Sequence, residues 1–224
     1  MSRKLVVIDH GLVEYNAAWD IQRDVFSKRT QGAADDHLLF FEHPNTYTLG
    51  KTASKTNLIG SEDFLRENGF SVVDIDRGGD ITYHGPGQIV GYPIISLTEW
   101  HQDAHLYLRS LEEVLIRVSE EYGLSAGRKE KYTGVWIGER KIAAIGIKIS
   151  RWVTMHGFAF NVNTNLDLFN GIIPCGIKDK DVTSLARELN NTTDMKSVKT
   201  LILKHFAEVF GYNTLSSGYP VTPN

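Results

Sequence analysis

Residues 135–149, VWIGERKIAAIGIKI, contain two apolar runs on either side of Gly138-Glu139. Apolar runs that flank a short glycine-containing turn are typical of a β-hairpin. Residues 155–162, MHGFAFNV, alternate well enough to form the next antiparallel strand. The three segments together predict an antiparallel sheet in the second half of the chain.

Two stretches outside these strands have the spacing of helices. Residues 108–122 place apolar side chains at i, i+3, i+7, i+10 and i+14, and the pattern ends at Gly123. Residues 198–210 carry a second apolar stripe, with Ser197 as its expected N-cap. Because hairpins alternate with separate helices, we predict an α+β fold. We expect a single catalytic domain over residues 1–224, built on a mixed, largely antiparallel sheet flanked by helices.

The composition excludes several classes of protein. The 224 residues are 42% hydrophobic and 23% charged, with a net charge of −3 and one cysteine. This charge argues against non-specific nucleic-acid binding, and one cysteine excludes an internal disulfide and a cysteine-rich zinc site. The apolar run after Lys4 ends at Asp9, too early for a signal peptide, and no segment approaches the ~18 apolar residues of a membrane helix. We therefore expect a cytoplasmic protein that binds neither nucleic acid nor membrane.

A glycine-rich block, RGGDITYHGPGQ, occupies residues 77–88 between two β-like runs. Glycine lets the backbone approach a ligand closely, and arginine, threonine, tyrosine and histidine supply hydrogen-bond donors around it. A tight glycine hairpin with polar surface side chains is the alternative interpretation. Neither this block nor Gly50-Lys51-Thr52 completes a nucleotide-binding motif.

The one cysteine, Cys175, lies in a bend between Pro174 and Gly176. Buried cysteines usually behave as small hydrophobic residues, and this remains one interpretation. A thiol on a loop whose backbone is constrained on both sides is also well suited to be a nucleophile.

A nucleophilic thiol needs a partner that removes its proton or stabilises its thiolate. Lys141 begins an otherwise apolar strand, where partial burial would destabilise its ammonium and favour proton exchange. A lysine at a strand end can equally extend its charge into solvent. His84 and His156 are the competing bases.

The following motifs occur in this order: residues 77–88, Lys141-Ile142 with Ile145-Gly146, His156-Gly157 leading to Asn161-Val162-Asn163, and Pro174-Cys175-Gly176. Together they resemble the octanoyltransferases of lipoate biosynthesis, a family related in fold to the catalytic domains of biotin and lipoate protein ligases. The resemblance extends from about residue 40 to residue 189.

By position, the resemblance implies that Cys175 forms an acyl-thioester intermediate and that Lys141 activates it. The implied substrate-binding residues are Arg77, Gly78, Gly79, Asp80, Ile81, Thr82, Tyr83, His84, Ala144, Ile145, Gly146, Gly157, Phe158 and Ala159.

The resemblance also implies a reaction. An octanoyl group would pass from octanoyl-acyl carrier protein to a lysine of lipoyl domains, in 2-oxoacid dehydrogenase complexes and the glycine cleavage H protein. We expect no metal and no cofactor, because the thioester donor is already activated. Two alternatives are an ATP-dependent lipoate-protein ligase, which needs no cysteine, and a non-catalytic module that binds acyl groups or lipoyl domains.

Overall fold

The computed structural model describes residues 3–130, 132–173 and 181–217. The strands in these ranges are β1 (Lys4–Leu12), β2 (Asp36–Glu42), β3 (Thr46–Leu49), β4 (Ser71–Asp74), β5 (Ile81–His84), β6 (Gln88–Ile94), β7 (Gly127–Lys129), β8 (Tyr132–Ile137), β9 (Arg140–Ser150), β10 (Val153–Asn161) and β11 (Thr214–Ser217). The α-helices are α1 (Tyr15–Thr30), α2 (Glu62–Glu67), α3 (Ala104–Glu121), α4 (Leu185–Leu189) and α5 (Met195–Phe210).

Eight strands form the main sheet, in the order β11-β1-β2-β6-β10-β9-β8-β7. The pairs β11-β1 and β1-β2 are parallel, whereas every other pair in this sheet is antiparallel. The predicted α+β class and the mixed, largely antiparallel sheet are therefore confirmed. The hairpin around Gly138-Glu139 forms as strands β8 and β9.

A second sheet of three strands, in the order β4-β3-β5, was not expected from the sequence. Its strand β5 covers Ile81–His84, in the middle of the glycine-rich block. The block is therefore not one long connection. Strands β3 and β5 pair antiparallel, with Tyr47 opposite Tyr83. The small sheet thereby buries the apolar side chains of the very short strand β5.

The side chains of the main sheet alternate between two cores. Phe158 and Phe160 of β10 face the helices α3 and α5, and Ala159 between them belongs to the core under α1. A third core lies in the small sheet, around Tyr47 and Tyr83. The main sheet is thus covered by helices on one face, and on its other face by α1.

The N-terminus of α5 differs from the sequence expectation. Asp194, and not Ser197, is its N-cap, because the Asp194 carboxylate accepts hydrogen bonds from the Ser197 N–H at 2.9 Å and the Ser197 hydroxyl at 2.7 Å. Ser197 is therefore the third residue of the helix and donates to the N-cap residue.

Two short motifs fasten the small sheet to the main sheet. The Gly78 N–H donates to the Ile147 carbonyl of β9 at 2.9 Å. The backbone can come this close because Gly146 has no side chain: a Cβ there would lie 2.8 Å from the Arg77 Cδ. Asp76, one residue before the block, accepts a hydrogen bond from His156 of β10 at 2.8 Å and pairs with Lys148 of β9.

Three buried histidines lie in the interior next to this junction. His43 contacts the Tyr92 hydroxyl at 2.8 Å, and His84 contacts the Gln88 side-chain oxygen at 2.9 Å. Burial lowers the pKa of His43 to about 4, and it lowers the pKa of His84 well below its usual value. Burial also lowers the pKa of His156 to about 4, although the Asp76 carboxylate opposes this effect. All three are therefore neutral in the folded protein near pH 7.

We predict that the folded state loses stability as the pH falls from about 6.5 towards 4. In this window the unfolded chain binds protons at these histidines and the folded chain does not, so the free energy of unfolding decreases with falling pH. For a histidine with a folded pKa of about 4, the loss at pH 5 is about 2 kcal/mol. The free energy of unfolding, measured with urea at about pH 7.5 and pH 5, tests this loss.

His43→Gln should reduce the difference between the two pH values, and His101→Gln on an exposed loop should leave it unchanged. A free energy of unfolding that is the same at both pH values would contradict the neutral, buried state of these histidines.

Candidate active site

A cavity of about 490 Å³ lies between the main sheet and the small sheet. Its walls come from strands β5, β6, β8, β9 and β10, from α1 and α3, and from the segment before β5. A volume of this size falls in the range of small-molecule sites in proteins. The described residues that line it are Tyr15, Arg77, Gly78, Gly79, Asp80, Ile81, Thr82, His84, Gln88, Val90, Tyr92, Leu108, Tyr132, Thr133, Lys141, Ala144, Ile145, Gly146, Ile147, His156, Gly157, Phe158, Ala159, Asn161, Phe169 and Val182.

Small residues on two neighbouring strands form one wall of the cavity. Ala144 pairs with Ala159, and Gly146 pairs with Gly157, so that four residues with short or absent side chains lie together on β9 and β10. A Cβ at Gly157 would lie 2.2 Å from the Gly91 carbonyl oxygen, which excludes every other residue type without movement of the backbone. Neighbouring atoms thus pack closely against both glycines, and the short side chains of Ala144 and Ala159 border the open space of the cavity.

Arg77 holds the opposite wall in place. Its guanidinium donates to the Thr48 carbonyl at 3.0 Å and to the Thr48 hydroxyl at 2.9 Å, both in strand β3. It also donates to the Gly78 carbonyl at 3.0 Å. Because Arg77 is buried and makes these bonds, its first role is to shape the glycine-rich wall.

Polar side chains inside the cavity form a connected chain of hydrogen bonds. His84 contacts Gln88, the Gln88 amide donates to the Asn161 oxygen at 2.9 Å, and the Asn161 amide donates to the Thr183 carbonyl at 3.0 Å. Buried polar groups that satisfy one another in this way are rigid. These hydrogen bonds connect the interior of the cavity to the backbone that follows residues 174–180.

Tyrosines close the same region of the cavity. Burial raises the pKa of Tyr15 to about 12 and raises that of Tyr92 well above its usual value. Both hydroxyls therefore stay protonated at neutral pH. The cavity interior next to them carries no tyrosinate charge.

His156 adopts an unusual backbone conformation beside the cavity. Its φ is 58°, in the left-handed region that a non-glycine residue rarely enters. Its N–H donates to the Gln22 side-chain oxygen of α1 at 3.1 Å, and its ring contacts Asp76. Burial opposes the carboxylate form of Asp76, but the bonds from Lys148 and His156 outweigh this effect and lower its pKa. His156 thus fixes the position of the loop before the glycine-rich block.

Lys141 lies at the start of strand β9, on the cavity wall. Its backbone N–H donates to the Asp181 carbonyl, and its carbonyl accepts from the Thr183 N–H, both at 2.9 Å. Its ammonium nitrogen lies 4.8 Å from the centre of the Trp136 ring on strand β8.

Cys175, the expected nucleophile, lies outside the described residues. The described residues on either side of segment 174–180 are held by backbone hydrogen bonds. Ile173 donates its N–H to the Asn57 carbonyl at 2.8 Å, and Asp181 is bonded to Lys141. Six positions separate Cys175 from Asp181 along the chain.

The structure brings together almost all of the residues that the sequence suggested for substrate binding. All of them line the cavity except Tyr83. Tyr83 does not line the cavity: its side chain is fully buried in the small sheet, and its hydroxyl donates to the Asn45 side-chain oxygen at 2.8 Å. Successive strand residues face opposite sides, so Thr82 and His84 reach the cavity and Tyr83 faces the third core.

Several cavity residues were missed by the sequence analysis. They are Tyr15, Val90, Tyr92, Leu108, Tyr132, Thr133, Ile147, Asn161, Phe169 and Val182. Tyr15 is the first residue of helix α1, and its local sequence does not distinguish a cavity residue from a core residue. Asn161 offered the clearest signal, because a polar side chain at the end of a buried apolar strand needs a partner.

The described part of the chain contains no group of three or more His, Cys, Asp or Glu side chains arranged to hold a metal ion. Of the helices in the described ranges, none combines the length and apolar composition needed to span a membrane.

Comparison with known proteins identifies the family. Residues 14–207 match the model of the lipoyl protein ligase A/B catalytic domain. The octanoyltransferase of Solibacter usitatus is 47% identical over 205 residues, which cover 92% of each chain. The octanoyltransferase of Rubrobacter xylanophilus is 50% identical over 203 residues, or 90% of this chain and 91% of that one.

Solved structures share the fold at much lower identity. Lipoate-protein ligase A bound with ATP aligns with a TM-score of 0.74 at 14% identity, covering 99% of this chain and 90% of that chain. A bipartite lipoate protein ligase from Thermoplasma acidophilum aligns with a TM-score of 0.70 at 16% identity, covering 98% and 87%. These likenesses establish the architecture, and the sequence identity to the octanoyltransferases is what establishes the relationship. The chain belongs to the octanoyltransferase family of acyltransferases, which has the lipoyl protein ligase A/B catalytic domain.

Proposed function

We propose that this enzyme moves an octanoyl group from octanoyl-acyl carrier protein, through a thioester on Cys175, to a lysine side chain of lipoyl domains. The acceptors are the lipoyl domains of 2-oxoacid dehydrogenase complexes and the glycine cleavage H protein, and one catalytic domain over residues 1–224 carries the reaction. The observation that supports this proposal most is the cavity lined by Ala144, Gly146 and Ala159, with Lys141 on its wall.

The first half of the reaction acylates the enzyme. The proton of the Cys175 thiol passes to Lys141, or Lys141 is already an ammonium that stabilises the thiolate. The thiolate attacks the carbonyl carbon of the donor thioester. A new carbon–sulfur bond forms, and the bond to the carrier thiol breaks, so that the carrier leaves as a thiol after it takes up the proton.

The second half releases the acyl group to the acceptor. The neutral amine of the acceptor lysine attacks the enzyme thioester, which forms an amide and breaks the bond to Cys175. The amine loses one proton, and the thiolate or Lys141 receives it. The donor thioester supplies the activation for both halves, so the proposal needs neither ATP nor a metal.

The acyl chain occupies the cavity between the two sheets. Ala144 and Ala159 face each other in register on β9 and β10, and a chain of methylene groups can lie along them. Burial of apolar surface at about 25 cal/mol per Å² favours an unfunctionalised tail in this slot. The solved T. acidophilum ligase was studied with its E2 lipoyl domain, and this similar fold supports a lipoyl domain as the acceptor.

We predict that Cys175→Ala abolishes transfer and prevents formation of an acyl adduct. Wild-type enzyme mixed with octanoyl-loaded carrier protein should gain the mass of one octanoyl group in intact-protein mass spectrometry. Because the acyl bond requires a sulfur nucleophile, the variant should gain none. Full activity of Cys175→Ala would contradict the covalent mechanism, and strict dependence on ATP with free octanoate would favour the ligase alternative.

We predict that Lys141→Met slows acylation of Cys175 and shifts its alkylation by iodoacetamide to higher pH. Loss of the lysine removes both a proton acceptor and a positive charge, each of which favours the thiolate. Alkylation rates measured across pH for the two proteins test the pairing. Identical profiles would show that another group activates the thiol.

We predict that Ala144→Leu changes the preferred length of the acyl chain. The larger side chain would fill part of the slot, so kcat/KM for an octanoyl thioester should fall about tenfold or more, and a butanoyl thioester should be affected less. Ala207→Leu on helix α5 serves as the control, because Ala207 packs against the core on the helical side of the sheet. Equal losses for both acyl lengths would place the acyl chain elsewhere.

A further inference from the structure

We propose that Trp136 is a positioning residue for the reaction: its indole ring holds Lys141 and stabilises the ammonium form that must accompany the Cys175 thiolate. This role deepens the proposed function and rests on it. The proposal follows from the arrangement of strands β8 and β9 around the lysine.

Trp136 and Lys141 are direct neighbours across the two strands. They pair in register, next to an irregularity between Val135 and Trp136. Side chains of directly opposed residues in an antiparallel pair lie on the same face of the sheet. The Lys141 ammonium nitrogen accordingly lies 4.8 Å from the centre of the Trp136 ring. This is within the ~6 Å over which the face of a tryptophan attracts a cation.

Burial makes this interaction strong. Trp136 is only 3% exposed, so the ring face that meets the lysine is largely shielded from bulk water. Cation–π attraction increases when the partners are desolvated.

Gly134, two residues before Trp136, holds the stem of the lysine. Its φ is 122°, and a Cβ at this position would lie 2.5 Å from the Ala143 carbonyl oxygen and 3.4 Å from the Lys141 Cε. The glycine therefore lets the aliphatic part of Lys141 pass directly over the β8 backbone. Any larger residue would push the strand or the lysine away.

A buried carboxylate fixes the backbone of Gly134. Glu112 of helix α3 is fully buried, and its Oε1 accepts the Gly134 N–H at 3.0 Å. Its other oxygen accepts from Arg109 at 2.7 Å and from Arg128 at 3.1 Å. The two arginines thus neutralise the buried Glu112 carboxylate, and the carboxylate holds strand β8 against helix α3. Strand β8 presents Gly134 and Trp136 to Lys141 from a rigid backbone.

Another lysine lies close to the same ring. The Lys129 ammonium nitrogen is 5.1 Å from the Trp136 ring centre and is paired with the exposed Glu139 carboxylate. The indole ring is therefore within cation–π distance of both ammonium groups.

Both possible roles of Lys141 include its charged ammonium form. If Lys141 accepts the Cys175 proton, the S–H bond breaks, an N–H bond forms, and a thiolate and an ammonium result. If Lys141 is charged from the start, the ammonium persists while the thiolate attacks. Trp136 stabilises the ammonium in either case, and so favours the reactive ion pair.

A double-mutant cycle tests the proposal. We would measure kcat and KM with octanoyl-loaded carrier, and the rate of Cys175 alkylation, for Trp136→Leu and Trp136→Phe in wild-type and Lys141→Met backgrounds. In the wild-type background, Trp136→Leu should lower kcat and the alkylation rate about ten- to thirtyfold with little change in KM. Trp136→Phe should keep most of the activity, because an aromatic face remains. In the Lys141→Met background, Trp136→Leu should change these rates less than twofold.

Trp100→Leu is the matched control. It removes an indole that packs against Phe210, in the core between the sheet and α5, and it should leave alkylation unchanged. An equal loss from Trp136→Leu in both backgrounds would overturn the proposal, because a merely structural effect is independent of Lys141. If Trp136→Leu does not fold, a loss of about tenfold or more from Trp136→Phe in both backgrounds would overturn it instead. If Lys141→Met alone has no effect, the assignment of Lys141 fails, which is a different outcome.

Discussion

The contact between the Gly78 N–H and the Ile147 carbonyl joins the two sheets, and the cavity depends on it. This bond requires a strand with no side chain at Gly146, and it is reinforced by Asp76, which pairs with one residue on each of two strands of the main sheet. Without these contacts, residues 76–78 would no longer be bonded to strands β9 and β10 of the main sheet. The walls of the cavity are therefore set by a few polar contacts around an otherwise apolar space.

The cavity combines an apolar slot with a rigid network of hydrogen-bonded polar side chains. Ala144 and Ala159 border the slot that is proposed to take the acyl chain. The Gln88 amide donates a hydrogen bond to the Asn161 side-chain oxygen, and the Asn161 amide donates to the Thr183 carbonyl. The Thr183 N–H in turn donates to the Lys141 carbonyl. The interior of the slot and the lysine on its wall are consequently parts of one hydrogen-bonded unit. Such preorganisation is what a reaction between two large substrates requires, because the protein must hold the reacting groups in place before each partner arrives.

Neutral buried groups make this interior sensitive to acid. His43 and His156 are held neutral by burial, and the tyrosines that meet them stay protonated. In contrast, Lys129 and Lys141 meet Trp136 on the side of strands β7, β8 and β9. Lys141 lies on the cavity wall, where the proposed mechanism forms a thiolate.

The sequence by itself determined the fold class, the hairpin around Gly138-Glu139 and the residues of the glycine-rich block, because hydrophobic periodicity and glycine spacing are local properties. It also named Lys141, whose place at the start of an apolar strand is visible in the chain. Only the tertiary structure decided that Tyr83 points away from the cavity, since the facing of a four-residue strand depends on which sheet it joins. The same holds for Tyr15, Asn161 and Trp136. Their roles come from contacts between segments far apart in the chain, and no local pattern records which distant residue will meet them.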